Sequence, residues 1–311
     1  MLPAGPVRTG HALAEGFTRR DLAGPLWQSV HHGVHADAAL DRGDADVRIA
    51  AVARLLPEGA AIGGWAGLRL LGADGLDGRT GAGGRRLLPV TVCTGRSGVI
   101  RPREGIELDR TPLPEGDVVL ADGVPVTRAV RSCEHLATHL RIATSTAYID
   151  VAVRSGVAPL ALVRRRLTGM ARRHGAPRAR VVGSLVDGRS ASIPESVLKV
   201  VWVLEAGLPH PLVNRLVTDA EGQVLGEPDL LDPESALVGE YDGATHRELA
   251  SHAWDNHREE TFEDHGLVVV RATSLDLWPR RALLVDRLRA AYRRGLARDR
   301  SRDRWGLRVA A

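Results

Sequence analysis

Two short apolar segments joined by a turn sequence, within residues 226–246 (GEPDLLDPESALVGEYDGATH), carry acids inside their strand pattern. The acids are Glu227, Asp229, Glu240 and Asp242, at positions where a buried strand normally carries Val or Leu. A buried carboxylate costs several kcal/mol unless something pairs with it. Any fold that this chain adopts must therefore supply a partner for these acids.

The spacing of the acids predicts how they are arranged. Glu240 and Asp242 share one strand face, as do Glu227 and Asp229, because side chains alternate across a strand. A turn centred near residues 234–235 places Asp229 opposite Glu240. Since opposed like charges destabilise a sheet, we expect a positive partner between them. A divalent cation such as Mg²⁺ is the simplest one, and it would polarise a phosphodiester and activate a water molecule for attack.

The last third of the chain has the order helix, three strands, helix, strand, helix. Ser192 and Glu195 have capping-box spacing at the start of the first helix, and Gly207 is a natural stop for it. A capping-box Glu needs no other role, so Glu195 is a helix cap or an active-site acid. The remaining elements are strands at 211–218, 223–231 and 235–242, a helix near 251–265, the strand LVVVRAT and a helix at 279–296.

This arrangement resembles the PD-(D/E)XK nuclease fold. The match consists of Pro228–Asp229, a short gap, Glu240-x-Asp242 on the next strand, and the capped helix with Glu195 in the place of the leading acidic helix. Over about residues 190–280, the chain also resembles a bacterial endonuclease-like family related to the very-short-patch mismatch repair endonucleases. The positions that carry this second resemblance are Glu240, Asp242, Gly243, His246, Asp255, Arg258 and Arg271.

The resemblance implies a metal-dependent active site. It predicts that Asp229 and Glu240 bind Mg²⁺ or Mn²⁺, with the Tyr241 carbonyl as a third ligand. Asp242 and His246 would complete the site by metal binding, water positioning or leaving-group protonation. The chain departs from the pattern at Asp242, where the family name promises Lys, and either His246 or a second metal would take over the role of that Lys.

Three further residues are candidates for supporting roles. Asp255 and Arg258 lie at i and i+3 on a predicted helix, where they form an ion pair or support the active site. Arg271 binds phosphate or pairs with an acid. The arginines at 164–166 are predicted to form a solvated face.

The rest of the chain suggests two or three domains within its 311 residues. We expect a mixed α/β protein, with an N-terminal winged-helix-like α+β region and a C-terminal restriction-endonuclease-like domain whose mixed sheet is flanked by helices. The sequence HHGVHAD and the element order also resemble, more loosely, the N-terminal parts of abortive-infection type IV antitoxin proteins. The predicted boundaries are 1–60 (winged-helix-like), 61–183 (helical and β middle region), 184–296 (endonuclease-like) and 297–311 (basic tail).

Composition bears on location and partners. A formal net charge of +4 permits a nucleic-acid partner without demanding one. No apolar run approaches the roughly 18–20 residues of a membrane span, and the N-terminus lacks a signal-peptide pattern. Cys93 and Cys133 have no paired spacing, so reduced thiols and a cytoplasmic location are the expectation.

The sequence therefore predicts a metal-dependent endonuclease that acts on DNA, most simply double-stranded, in DNA repair or phage defence. The N-terminal half would recognise nucleic acid or a protein partner. The alternative is a DNA-binding regulator of the antitoxin type that keeps the nuclease scaffold without cleavage. Asp229 and Glu240 favour the enzyme, whereas Asp242 in place of Lys favours the regulator. A protein-interaction module of a defence system is a third hypothesis.

Overall fold

The computed structural model describes residues 5–81, 84–96, 100–171, 173–243 and 260–308, and it shows a mixed α/β protein. The chain divides into two compact units. Their described residues fall in Met1–Thr80, Gly84–His139 and Ser155–Arg166 for the first unit, and in Gly81–Gly83, Leu140–Arg154 and Leu167–Ala311 for the second. The second unit therefore takes in helices that precede the boundary predicted between residues 183 and 184.

The first unit begins with short helices and a three-stranded antiparallel sheet in the order β1-β3-β2. Thr18 is followed by Asp21 three residues later, a spacing that predicts a helix cap. The cap is present, because the Thr18 hydroxyl accepts the N–H of Asp21 (3.1 Å) and Asp21 Oδ2 accepts the N–H of Thr18 (2.7 Å). The alternating pattern of residues 27–36 predicts a strand hairpin, and that hairpin is present. The winged-helix architecture stays a prediction. The elements are β1 (Val7–Arg8), α1 (Thr9–Ala14), α2 (Arg19–Leu22), β2 (Trp27–His31), β3 (Val34–Asp37) and α3 (Ala45–Ala53).

A five-stranded mixed sheet in the order β8-β7-β4-β10-β9 forms the centre of the first unit. Apolar residues recur with period two through residues 88–126, which predicts strands there, and four strands of the sheet begin in this region. Trp65 and Cys133, from the helices that directly follow the strands at Ala61–Gly63 and Val124–Thr127, are buried. The elements are β4 (Ala61–Gly63), α4 (Gly64–Leu70), β5 (Arg79–Thr80), β6 (Arg86–Leu87), β7 (Val90–Cys93), β8 (Ile106–Asp109), β9 (Val118–Ala121), β10 (Val124–Thr127) and α5 (Ala129–His139).

Helices make up the first part of the second unit. Ser192 caps α9 as predicted, since its hydroxyl accepts the N–H of Glu195 (3.3 Å), and the helix continues as a π-helical segment, Val201–Glu205, before Gly207. The helical patterns of the sequence at 128–141, 144–155 and 158–173 do not include the helix at Ala176–Leu185, because the buried apolar face of this helix begins within a strongly basic stretch. The helices are α6 (Ile142–Arg154), α7 (Leu160–Thr168, which spans the division between the units), α8 (Ala176–Leu185) and α9 (Ile193–Val200).

The second unit has a four-stranded mixed sheet in the order β11-β14-β15-β16, antiparallel except for the parallel pair β15–β16. A small antiparallel sheet has the order β13-β12-β17. The strands are β11 (Leu212–Val213), β12 (Val217–Thr218), β13 (Val224–Gly226), β14 (Leu230–Asp232), β15 (Leu237–Tyr241), β16 (Val268–Ala272) and β17 (Gly306–Leu307). The helices that follow β16 are α10 (Ser274–Leu277) and α11 (Arg281–Leu296).

Two of the predicted strands are interrupted in the structure. The strand predicted at 211–218 breaks after Asn214, whose φ of 45° is left-handed and cannot continue a strand. The strand predicted at 223–231 breaks at Pro228, which has no N–H to donate to a ladder. As a result, the two halves of each predicted strand belong to different sheets: β11 and β14 to the four-stranded sheet, and β12 and β13 to the small sheet.

Both faces of the four-stranded sheet are covered by apolar side chains. Leu237 belongs to a core that contains Trp202, and the next residue, Val238, belongs to a separate core that contains Phe262. Acids at the ends of these strands therefore lie beside a sheet with little contact with water. Within the described ranges, no helix combines the length and the apolar character that a membrane span requires.

Candidate functional site

The hairpin of β14 and β15 has the register that the sequence predicts. Leu230 pairs with Gly239, so the turn is centred between residues 234 and 235. The next position outward places Asp229 opposite Glu240. The predicted register of the hairpin is thus confirmed for the three paired positions, and the facing of Asp229 and Glu240 is its continuation by one position.

The carboxylate of Asp229 is tied to the end of β15. The backbone N–H of Tyr241 donates to Asp229 Oδ2 (2.7 Å), and Asp229 is partly exposed. The phenol of Tyr241 in turn shares a hydrogen bond with the Ser274 hydroxyl (2.7 Å). A hydrogen bond of this kind fixes the direction of a carboxylate, as the outer partners of a metal ligand do.

Glu240 is the most buried of the four hairpin acids, with 4% of its surface exposed. On the parallel strand β16, its partner in register is Arg271. Residues that face each other across two strands point to the same side of the sheet, so Arg271 brings a positive side chain next to Glu240. The fold therefore places an arginine at the neighbouring strand position, on the side of the sheet that carries Glu240.

Asp242 extends the pairing by donating its backbone N–H to the Ala272 carbonyl (2.8 Å), and it is partly exposed. Among the residues that the structure describes, no three His, Cys, Asp or Glu side chains are grouped so that they could hold a metal ion. Asp229, Glu240 and Asp242 are thus not gathered around one point. Asp229 and Glu240, at the ends of neighbouring strands, could still provide two oxygen ligands for a hard cation, whose other ligands would be the Tyr241 carbonyl, water and phosphate oxygens.

Three predicted site residues fall outside the described ranges. They are His246, Asp255 and Arg258. Their roles stay predictions, and so does the replacement of the missing Lys by His246.

Glu195 connects the start of α9 to the hairpin. It is buried, and its Oε2 accepts the backbone N–H of Ala191 (2.6 Å) and the side-chain amide of Asn214 (3.3 Å). The backbone N–H of Asn214 donates to the carbonyl of Asp229 (3.1 Å). Glu195 therefore caps the backbone N–H of Ala191, the residue before Ser192. It also helps to position Asp229, because it binds the Asn214 side chain and the Asn214 backbone binds Asp229.

Lys199 is the only lysine in the sequence, and a second acidic cluster binds it. Its Nζ lies 2.9 Å from Asp150 Oδ2 and 2.9 Å from Asp187 Oδ2, and 2% of the residue is exposed. Lys199 is bound to these two acids, so it does not take the place of the lysine that the nuclease pattern has at position 242, two residues after Glu240. The sequence did not reveal this cluster because its members lie far apart along the chain.

The first unit contains a buried polar network that sequence reasoning also missed. His135 lies between two acids, with Nδ1 3.2 Å from Asp109 Oδ2 and Nε2 3.1 Å from Glu107 Oε2. Arg131 pairs with Asp109 (3.2 Å) and with Glu134 (3.2 Å). Because the two acids meet opposite edges of the imidazole ring, they do not converge on a common point. The network therefore stabilises the fold and is not a metal centre.

Comparison with known proteins adds no assignment: no family model, no curated protein and no solved structure matches this chain at a significant level. The choice of a candidate site thus rests on geometry. Asp229 and Glu240 lie at the ends of two neighbouring strands, the carboxylate of Asp229 is partly exposed, and no histidine of the described ranges lies between them as His135 does between Glu107 and Asp109. It is the best candidate for chemistry.

Proposed function

We propose that the second unit is a metal-dependent endonuclease that hydrolyses phosphodiester bonds in DNA. The observation that carries the proposal is the register of the β14–β15 hairpin, whose last pair is Leu230 with Gly239, so that Asp229 and Glu240 are the next residues on the two strands. The hairpin belongs to a mixed sheet with helices before and after it, which is the arrangement that the resemblance to the PD-(D/E)XK fold implies.

Each residue near the hairpin has a distinct role in this proposal. Asp229 and Glu240 hold the divalent cation, whose chemistry would be to polarise the scissile phosphate and to lower the pKa of water. The N–H of Tyr241 orients the Asp229 carboxylate. Asp242, at the open end of β15, positions the attacking water or a second cation.

Arg271 would replace part of what the missing lysine does. It stands in register with Glu240, so its guanidinium lies on the same side of the sheet as the site. A guanidinium near a phosphate offsets the negative charge that develops during the reaction. This role needs no change of the backbone, because β16 already places the residue beside β15.

A cleavage assay tests the proposal. Supercoiled plasmid, linear duplex, mismatched duplex and branched DNA are incubated with the protein in Mg²⁺ or Mn²⁺, and products are separated on gels. Asp229→Asn and Glu240→Gln should each abolish cleavage while the circular dichroism spectrum stays that of the wild type. Glu227→Gln is the matched control, because Glu227 is an exposed acid of the same segment and should leave the rate unchanged.

The result that would contradict the proposal is cleavage at the wild-type rate in both Asp229→Asn and Glu240→Gln. Cleavage in the presence of excess EDTA would also contradict it, because the activity would then need no divalent cation.

A second function is favoured by the position of Arg271. A protein that only binds DNA can keep an acid at position 240 if an internal cation balances it, and Arg271 is in register to do so. In that case the hairpin has only a structural role, and the chain acts as an antitoxin-type regulator that binds DNA without cleaving it. Binding of duplex DNA in EDTA, without cleavage in any divalent metal, is the outcome that distinguishes this function from the nuclease.

A further inference from the structure

A groove of about 830 Å³ lies on the first unit. Three parts of the chain line most of it: residues 30–32 at the hairpin turn, the segment from residue 42 into α3, and the loop 101–105. All of the lining residues belong to the described ranges, and Glu104 is the only acid among them. The cationic side chains of the groove are Arg42, Arg48, Arg101 and Arg103.

The exposed arginines of the groove differ from the structural arginines of the same unit. Arg69, for example, is bound by the carboxylate of Asp46 at 2.7 Å. Arg42 and Arg101 are exposed, and neither forms an ion pair with a carboxylate of the described ranges. Their charge is therefore available to an anion from outside the molecule.

The loop and the hairpin turn are held together at one side of the groove. Arg103 Nη1 donates to the backbone carbonyl of His32 (2.6 Å). Nearby, the pKa of His31 is lowered, first by burial and then by the positive charges of Arg103 and Arg42. The same charges that disfavour a protonated histidine favour a bound anion.

Arg48 gives the groove a fixed positive charge. Its guanidinium carbon lies 5.0 Å from the centre of the Trp65 ring, and it donates to the backbone carbonyls of Asp77 (3.4 Å) and Leu88. A guanidinium held in this way loses little conformational entropy when a ligand binds. The remaining lining is largely apolar and comes from Val30, Val52, Leu87, Val90 and Pro102.

We infer that this groove binds the phosphodiester backbone of a nucleic acid. Arginine is well suited to phosphate because its fork of N–H donors can bind two oxygens at once. The arginines come from separate segments of the chain, so they match a series of phosphates better than a single anion. The choice of a nucleic acid over another polyanion rests on the proposed nuclease function. The groove is then the surface on which the first unit would hold the DNA substrate.

Binding without cleavage tests the inference. The affinity of the full-length protein for a fluorescein-labelled 20-nucleotide DNA, single-stranded and duplex, is measured by anisotropy in EDTA at several salt concentrations. The double variant Arg42→Ala/Arg101→Ala should weaken binding at least about tenfold, since hydrogen bonds to charged groups are among the stronger ones. The slope of log K against log salt should become shallower by about 2, one unit for each lost phosphate contact.

The matched control is Arg19→Ala/Arg110→Ala, which removes the same charge from exposed positions of the first unit outside the groove. Arg42→Lys/Arg101→Lys should keep most of the salt slope, because the charge remains. Equal binding by the groove variant and the control variant would overturn the inference. Displacement of the DNA by inorganic phosphate at the same phosphate concentration would overturn it too, because the groove would then bind a small anion.

The outcome is independent of the hairpin acids. Loss of cleavage in Asp229→Asn with DNA binding retained concerns only the proposed nuclease site. Loss of binding in the groove variant, with the circular dichroism spectrum and the melting temperature preserved, supports the groove whether or not the protein cleaves.

Discussion

Replacing Lys199 by Met should destabilise the second unit by about 3 kcal/mol, because removing one partner from a buried ion pair costs about 3–5 kcal/mol. The lower end of this range applies because Asp150 keeps other donors. The backbone N–H groups of Asp187 and Gly188 each lie 2.9 Å from Asp150 Oδ1, and the Ser196 hydroxyl lies 2.9 Å from Oδ2. Met has a length similar to that of the lysine stem, so a cavity adds little to the loss.

Urea unfolding measures this effect. With a denaturant dependence of about 1–3 kcal/mol per molar urea, a loss of 3 kcal/mol moves the midpoint down by about 1–3 M. Circular dichroism and tryptophan fluorescence are followed together, since Trp202 is fully buried in this unit and reports on its core. Two units in one chain can unfold separately, so the transition that carries the Trp202 change is the one to compare.

A double variant provides the control. Lys199→Met with Asp150→Asn removes both charges of this pair. The loss of unfolding free energy in the double variant should therefore be smaller than the sum of the losses in the two single variants, by roughly 0.5–3 kcal/mol. If Lys199→Met leaves the midpoint where it is in the wild type and the double variant shows no coupling, the reasoning about a buried ion cluster is refuted.

Two further predictions concern stability. The pKa of His135 is raised, because its hydrogen bonds to Asp109 and Glu107 outweigh the opposing effect of burial. The stabilisation of the fold by protonated His135 is therefore complete below the unfolded pKa of about 6.5 and is lost as pH rises through the higher folded pKa. The urea midpoint should consequently fall more steeply between pH 5.5 and 8.5 for the wild type than for His135→Gln. Gly295→Ala should destabilise the protein by about 1–3 kcal/mol, because the added Cβ would overlap the Ser235 carbonyl oxygen, and thermal melting measures the loss.

Each of these stability predictions has an internal check. The pKa of Asp109 and that of Glu107 are lowered, for Glu107 chiefly by the hydrogen bond with His135 and for Asp109 by its hydrogen bonds against the effect of burial. Their contribution is present above their unfolded pKa values and is lost as pH falls through the lower folded ones, which lie below pH 5.5. The fall in midpoint between pH 5.5 and 8.5 therefore reports on His135, and identical profiles for the wild type and His135→Gln would contradict the assigned network. For the glycine, Gly10→Ala is the control in a helix with open space, and equal melting of the two alanine variants would contradict the clash.

Local sequence signals predicted the helix caps and the hairpin register correctly. Thr18 and Ser192 cap their helices because a hydroxyl there can accept an N–H three residues later, which depends only on neighbouring residues. The pairing of Leu230 with Gly239 follows from the turn between them. These features need no knowledge of distant parts of the chain.

The features that the sequence could not supply depend on distant contacts or on local backbone exceptions. Arg271 reaches Glu240 only through a parallel pairing, whose register no turn fixes. Lys199 meets Asp150 across 49 residues. The strand breaks at Asn214 because its backbone is left-handed, and the alternation of apolar and polar residues does not reveal such a conformation.

The measurement that tests the central claim most directly is calorimetric titration of the protein with Mn²⁺ in the absence of DNA. If Asp229 and Glu240 form the metal site, the wild type and the Glu227→Gln control should bind Mn²⁺ with the same affinity. Asp229→Asn and Glu240→Gln should each lose that binding. Equal Mn²⁺ affinity in all of these proteins, or no binding by the wild type at millimolar metal, would contradict the account.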